Sequence, residues 1–309
     1  MANFLISGGA GFLGRELTKK ALENGHSVTV VDDFSTTSEE NFNENVKVIK
    51  KRIEDFDTSE RFDYVIHLAA RPSPEDYISH PVDTILSNSL GTLKMIEASL
   101  KSGATLMYTS SSETYGDAAI IPTPETYWGN VNFTGIRSCY DESKRFSEAL
   151  IMAYYRQFGL DSRIQRPFNV YGPGIRPDGQ YGRVVPRFIM QALKGEDITV
   201  HGDGNQTRSF LYLDNWVDAT WKFLTAIGLS GEILNIGSER EITINALAEM
   251  IINTTGSHSK IVHIEAREDD PHRRSADISK TKRMLNWEPS TELKDGLKKT
   301  VEWVENRYL

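Results

Sequence analysis

Ser7–Gly14 reads SGGAGFLG, with Gly8, Gly11 and Gly14 spaced three apart between an apolar run, NFLIS at 3–7, and a segment of helical apolar spacing at 12–24. Glycines at such a junction let the backbone turn sharply and approach a ligand closely. The helix that follows offers unpaired N–H groups and the positive end of its dipole to an anion. Glycine-rich turns open many helices for steric reasons alone, so the reading depends on the surroundings. The next apolar run, SVTVVD at 27–32, ends in Asp32 and is followed by Asp33. A carboxylate at that strand end accepts both hydroxyls of an adenosine ribose and repels a 2′-phosphate. No arginine immediately follows, so NAD is expected rather than NADP.

Working outward, YVIHLAA (64–70), TLMYTSS (105–111) and DSRIQRP (161–167) also read as strands, and the first four strands are nearly continuously apolar. That pattern predicts a parallel sheet covered on both faces. Helical spacing recurs at 82–102 and 138–158, and the alternation is that of a doubly wound α/β fold, with residues 1–167 as a dinucleotide-binding domain. Past Asn169 the stretch YGPGIRPDGQYG (171–182) is rich in Gly and Pro and the elements become irregular, with helices near 184–194, 243–254, 279–285 and 291–306. A smaller α/β substrate domain is expected over 168–309, with about 208–238 returning to the first domain.

The composition narrows the class. A chain of 309 residues with 39% hydrophobic and 25% charged residues is long enough for one or two cored domains. Its net charge of −8 gathers neither nucleic acid nor anionic lipid, so an anionic ligand must be held by local donors. No apolar run approaches the ~20 residues of a membrane span, and no basic-then-apolar leader precedes the first strand, so a cytoplasmic location is expected. The single cysteine, Cys139, permits neither an internal disulfide nor a thiolate cluster, and reads as buried filler. No metal site is expected.

SCYDESKR at 138–145 sets Tyr140 and Lys144 four apart in a helical segment, on one face. A free phenol ionises near pH ~10, and an adjacent ammonium beside an oxidised nicotinamide favours the phenolate. Tyr140 is therefore a candidate base for a sugar or alcohol hydroxyl. Tyr-x-x-x-Lys arises by chance in many helices and takes its weight from the glycine motif upstream.

Taken in order, SGGAGFLG, HLAA (67–70), SSSETYG (110–116), YDESK (140–144), RPFNVYGP (166–173), GDGNQTRSFLYLDN (202–215) and LNIGS (234–238) resemble the extended short-chain dehydrogenase/reductase family of nucleotide-sugar epimerases, dehydratases and decarboxylases. The resemblance spans nearly the whole chain. It implies a Rossmann-type sheet holding NAD, a C-terminal domain holding a nucleotide diphosphate sugar, and a homodimer packed through two helices per subunit. For the cofactor it implies Gly8, Gly11, Phe12, Leu13 and Gly14 at the turn, with Asp32 and Asp33 at the ribose. Ile53, Leu68, Ala69, Ala70, Asn88, Pro167 and Val170 follow along the dinucleotide, with Tyr140 and Lys144 at its reactive end.

Ser111 falls where the family places its catalytic hydroxyl, and Ser110 reads as backbone support. Ser112 and Glu113 resemble the Thr-Ser-Glu of UDP-glucuronate decarboxylases, in which the glutamate belongs to the catalytic set, in ring distortion and handling of the C5 proton. GDP-mannose 4,6-dehydratases share a similar triplet. Longer matches, ETYWGNVN (125–132), RSCYDESKR (137–145), GRVV (182–185), QALKGEDITVHGDGNQTRSF (191–210) and DDPHRRSADISK (269–280), also resemble the decarboxylases. They imply Ser73 and Tyr77 at the sugar ring and Asn169 at the sugar or a phosphate. They further imply Arg183 and Val184 in the substrate segment, His201 beside uridine, and Arg208 and Arg274 at the diphosphate, where a planar guanidinium binds two oxygens at once. Two features depart from the pattern. Arg52 stands where many relatives have an adenine-contacting aspartate, and YGPGIRPDGQYGRVVPRF (171–188) is longer than the decarboxylase loop, its Pro186 and Arg187 resembling a 4-epimerase. Conversion of UDP-glucuronate into UDP-xylose is expected first. A UDP-sugar 4-epimerase, a nucleotide-sugar 4,6-dehydratase and a catalytically silent NAD-bound scaffold stay open behind it.

Overall fold

In the first half of the chain, β1 (Asn3–Ser7), β2 (Ser27–Asp32), β3 (Val46–Lys50), β4 (Tyr64–His67), β5 (Thr105–Thr109) and β6 (Ser162–Pro167) alternate with α1 (Phe12–Glu23), α2 (Pro74–Ser79), α3 (Pro81–Ser102) and α4 (Ser138–Phe158). These come from a computed structural model that describes residues 1–37, 42, 44–177, 183–266 and 270–309. Residues 178–182 of the long 171–188 loop, Gly182 of the GRVV match among them, and Asp269 lie outside the described residues.

The second half adds β7 (Val170–Tyr171), α5 (Val184–Leu193), β8 (Ile198–His201), β9 (Thr207–Ser209), β10 (Leu211–Tyr212), α6 (Leu213–Thr225), β11 (Ile233–Ile236), β12 (Glu241–Thr243), α7 (Ile244–Thr255), β13 (Ile261–Ile264), β14 (Arg273–Arg274), α8 (Ser279–Leu285) and α9 (Leu293–Tyr308). The main sheet has the order β3-β2-β1-β4-β5-β6-β11, and each neighbouring pair is parallel. This is the doubly wound α/β architecture, closed at one edge by a strand from late in the chain.

The apolar runs are continuous because the sheet has two buried faces. Phe4, Ile6, Val30, Ile66 and Met107 enter one core with Leu17 of α1 and Trp216 and Phe223 of α6. Their neighbours Leu5, Val31, Val65, Leu106 and Tyr108 enter the other with Met95 and Ile96 of α3 and Ile151 of α4. A third cluster joins Phe188 and Ile189 of α5, Leu247 and Ile251 of α7, and Val301 and Val304 of α9.

Two of the expected strands are shorter than their apolar runs. β4 stops at His67 and β5 at Thr109, and the residues beyond bend into the cleft above the sheet. Sequence spacing also missed β3, α2 and α6. Among the described residues, no helix is long and apolar enough to cross a membrane.

Candidate active site

A cleft of about 650 Å³ runs over the carboxyl ends of the strands, from the glycine turn to the C-terminal elements. At one end, Gly8 adopts φ +69°, and a Cβ there would lie 2.6 Å from the Ala69 nitrogen. A Cβ on Gly14 would lie 2.2 Å from the Gly8 carbonyl oxygen. The turn is thereby reduced to the thickness of bare backbone. Gly11 caps α1 without any side-chain hydrogen bond, which leaves the first N–H groups of the helix for a ligand. A pyrophosphate fits this cradle.

Asp32 accepts hydrogen bonds from the N–H groups of Ala10 and Phe34, each at 2.9 Å. Burial pushes its carboxyl up, and those two bonds oppose the rise. Asp33 accepts from the N–H and hydroxyl of Ser35 at 2.9 and 2.7 Å. Both aspartates line the cleft, as do Phe12, Leu13, Ile53, Leu68, Ala69, Ala70, Pro167 and Val170. Asn88 does not. It is buried between α3 and α4 and donates to the Ser143 hydroxyl at 2.9 Å. Arg52, on the lip of the cleft, donates to Glu54 at 2.7 Å and to Asp83 at 2.9 Å.

Next come the residues suited to proton transfer. Tyr140 and Lys144 project from adjacent turns of α4, and the Lys144 ammonium lies 5.8 Å from the centre of the Tyr140 ring. Lys144 donates to the Thr109 carbonyl at 2.9 Å. Burial pulls its ammonium down to about 7, partly offset by Glu148. Burial pushes the Tyr140 phenol up to about 12, against a hydrogen bond with Ser111. Ser111 also caps the 3-10 turn Ser112–Tyr115, its hydroxyl accepting from the Glu113 N–H at 3.2 Å.

Glu113 faces two arginines. Arg137, just ahead of α4, donates to one of its oxygens at 2.6 Å. Arg274, on β14, grips both oxygens, one of them at 2.8 Å. Burial alone would raise this carboxyl, but Arg274 and Arg137 outweigh it and hold it at about 2. Arg208, on β9, stands in register with Arg274 and donates to Asp270 at 3.0 Å. Like charges paired across strands repel, and each is offset by its own acid, Arg208 by Asp270 and Arg274 by Glu113. Arg183, the N-cap of α5, turns its charge toward Tyr140 and Glu113 and makes no ion pair among the described residues. Four guanidiniums thus meet two carboxylates in this part of the cleft, which answers how a chain of net charge −8 can hold an anion.

Ser73, Ser112, Asn169, Val184 and His201 also line the cleft. Asn169 adopts φ +39° and donates to the Ser209 carbonyl at 2.8 Å. His201 shares a hydrogen bond with the Glu265 carbonyl at 2.9 Å. Tyr77 lies behind the wall, stacked on Tyr140 with ring centres 5.1 Å apart. Sequence reasoning passed over Arg137. It stands inside the RSCYDESKR match, but its partner Glu113 is 24 residues away, and helix spacing is blind to such a pair.

The family model described as "NAD dependent epimerase/dehydratase family" matches residues 4–237. UDP-glucuronic acid decarboxylase 3 of Arabidopsis thaliana is 44% identical over 298 residues, covering 95% of this chain and 86% of the relative. Among solved structures, a UDP-glucose 4-epimerase of Thermotoga maritima with UDP-glucose superposes with a TM-score of 0.92 at 33% identity, covering 98% of this chain and 99% of the other. A UDP-glucuronic acid 4-epimerase of Bacillus cereus, in complex with UDP-glucuronic acid and NAD, gives a TM-score of 0.90 at 27% identity, covering 99% and 100%. With the glycine cradle, Asp32 and the Tyr140–Lys144 pair in one cleft, the chain belongs to the NAD-dependent epimerase/dehydratase family.

Proposed function

We propose that this chain is a UDP-glucuronate decarboxylase that forms UDP-xylose through a 4-keto intermediate. The observation that carries the reading is the Glu113–Arg137–Arg274 cluster beside Tyr140 and Ser111. Epimerisation of a neutral UDP-sugar needs only the proton-transfer residues and leaves such a cluster idle, whereas the C5 carboxylate of UDP-glucuronate gives its guanidiniums a substrate group to hold. The cluster thus favours the substrate, and the choice of decarboxylation over epimerisation of it rests on the relatives. The decarboxylase relative, at 44% identity, supports the same choice.

The glycine cradle, Asp32 and Asp33 would hold NAD, with Leu68–Ala70 and Pro167 along its length. Bound there, NAD supplies the acceptor for the C4 hydride and the donor that returns it. Tyr140 takes the proton of the C4 hydroxyl, and Ser111 shares that hydrogen bond. With its phenol held at about 12, Tyr140 carries little anion at neutral pH, so nearby positive charge is needed to form it; Arg183 opposes the rise, and the Lys144 ammonium lies 5.8 Å from the ring centre. The resulting β-keto acid loses carbon dioxide once its carboxylate stands out of the plane of the C4 carbonyl. Arg137 and Arg274, oriented by Glu113, hold the carboxylate for that alignment. Glu113 is ionised at about 2, so its part is to position the guanidiniums and not to donate a proton, a narrower role than the resemblance implied. C5 takes a proton from solvent, and Tyr140 returns its own to the C4 oxygen. Arg208 takes the diphosphate, joined by Arg183 in the place the resemblance gave to Arg274, which is instead paired with Glu113, and His201 takes the uridine end.

Purified protein incubated with UDP-glucuronate should release carbon dioxide and yield UDP-xylose. UDP-galacturonate without gas would replace this reading with 4-epimerisation, the second reading, which Pro186 and Arg187 in the VVPRF segment favour. The proposal includes a cytoplasmic homodimer. In its support, Val82, Ile85 and Leu90 of α3 and Phe146 of α4 are exposed on two helices that pack together.

A further inference from the structure

Behind Lys144 lies a buried acid that the proposed mechanism does not use. Glu148 follows Lys144 by one turn of α4 and is 7% exposed. It accepts from Arg166 Nε at 2.9 Å and from a second Arg166 nitrogen, and from the Ser110 hydroxyl. Ser110 sits between Thr109, whose carbonyl accepts from Lys144, and Ser111, which hydrogen-bonds Tyr140. One carboxylate therefore grips the short segment that presents both the lysine's acceptor and the catalytic hydroxyl.

We propose that Glu148 is a positioning residue that, through Ser110, holds the Thr109–Ser111 segment in place, and with it the carbonyl that seats Lys144 and the hydroxyl that meets Tyr140. The groups around Lys144 leave this part to Glu148. Tyr140 lies on the same helix, the Tyr108 ring on β5 is 4.9 Å from the ammonium, and His67 on β4 is a neutral imidazole that burial and then Lys144 hold down at about 3. From β6, Arg166 faces Glu148 and not Lys144. Glu148 is the acid whose charge opposes the effect of burial at Lys144.

The inference rests on Tyr140 and Lys144 acting as the proton-transfer pair, but its test needs no turnover. In protein carrying 13Cε-labelled lysine, the Lys144 resonance, assigned with Lys144→Met, is titrated by NMR. Glu148→Gln should move its midpoint down by about half a pH unit or more. Removing the acid strands Arg166, so the double variant Glu148→Gln/Arg166→Gln is measured beside it and should move the midpoint the same way. In both, kcat should fall about tenfold or more with NAD affinity held. An unmoved Lys144 midpoint in either folded variant overturns the proposal, whatever the substrate proves to be.

Discussion

Glu113 carries its charge at a cost that its neighbours offset. Against the ordinary 4.5, its carboxyl is held at about 2 in the fold, so the stability it contributes is complete above pH ~5 and is lost as pH falls through that interval. Glu113→Gln removes the charge and leaves Arg137 and Arg274 facing each other over an amide. Breaking such a buried pair costs about 3–5 kcal/mol, so thermal melts at neutral pH should show a clear loss, shrinking toward pH ~3. Carbon dioxide release should fall about a hundredfold, the scale on which a substrate-holding group displaced by ~1 Å costs, while NAD titration stays within a few fold of the parent. Wild-type turnover would remove the residue from the mechanism. In the sequence, Glu113 stood out as an acid after an apolar strand, and Tyr140 and Lys144 through helix spacing. Arg137 stayed hidden because its meaning depends on a partner across a turn, while Tyr77 and Asn88, expected at the sugar ring and along the dinucleotide, lie behind the cleft wall, stacked on Tyr140 and bonded to Ser143.

Among elements, the first crossover was the most legible, because its glycines have little steric choice. Gly14→Ala sets a Cβ against the Gly8 carbonyl at 2.2 Å. Overpacking of that kind costs about 1–3 kcal/mol, and calorimetry should find NAD binding weakened at least tenfold even where the fold survives. The elements missed by spacing are those with weak patterns. β3 reads VKVIK with most side chains exposed, as an edge strand does, and α2 is only six residues long. On α4, Asp141 follows Tyr140 but is buried, and burial, with Glu113 adding to it and Arg137 opposing, lifts its carboxyl from 3.8 to about 8. The folded state then binds the extra proton, so this residue erodes stability as pH rises between those values. Asp141→Asn fixes the neutral form. Its melting temperature should gain on the parent progressively from pH ~5 to pH ~8, and parallel curves would refute the assignment.

For the whole molecule, the doubly wound sheet was legible from alternation alone, whereas the exposed outer residues of α3 and α4 carried no signal until the fold set them side by side. Phe146→Asp places a charge where the proposed dimer buries an aromatic ring, and light scattering should show monomers at micromolar concentration. A dimer that persists unchanged would move the interface elsewhere. The strand that closes the sheet beside β6 is β11, and Asn235 within it accepts from the Tyr115 hydroxyl at 2.8 Å and donates to the Thr123 and Asp277 carbonyls at 2.9 and 3.1 Å. The order of synthesis follows from this. A ribosome that has released only the first 167 residues holds a sheet with an unpaired inner edge, an invitation to mispairing. Nascent chains stalled there should be cut readily by protease, and chains stalled late enough to expose Asp277 should resist it; equal resistance at both lengths would mean that the half-built sheet stands by itself.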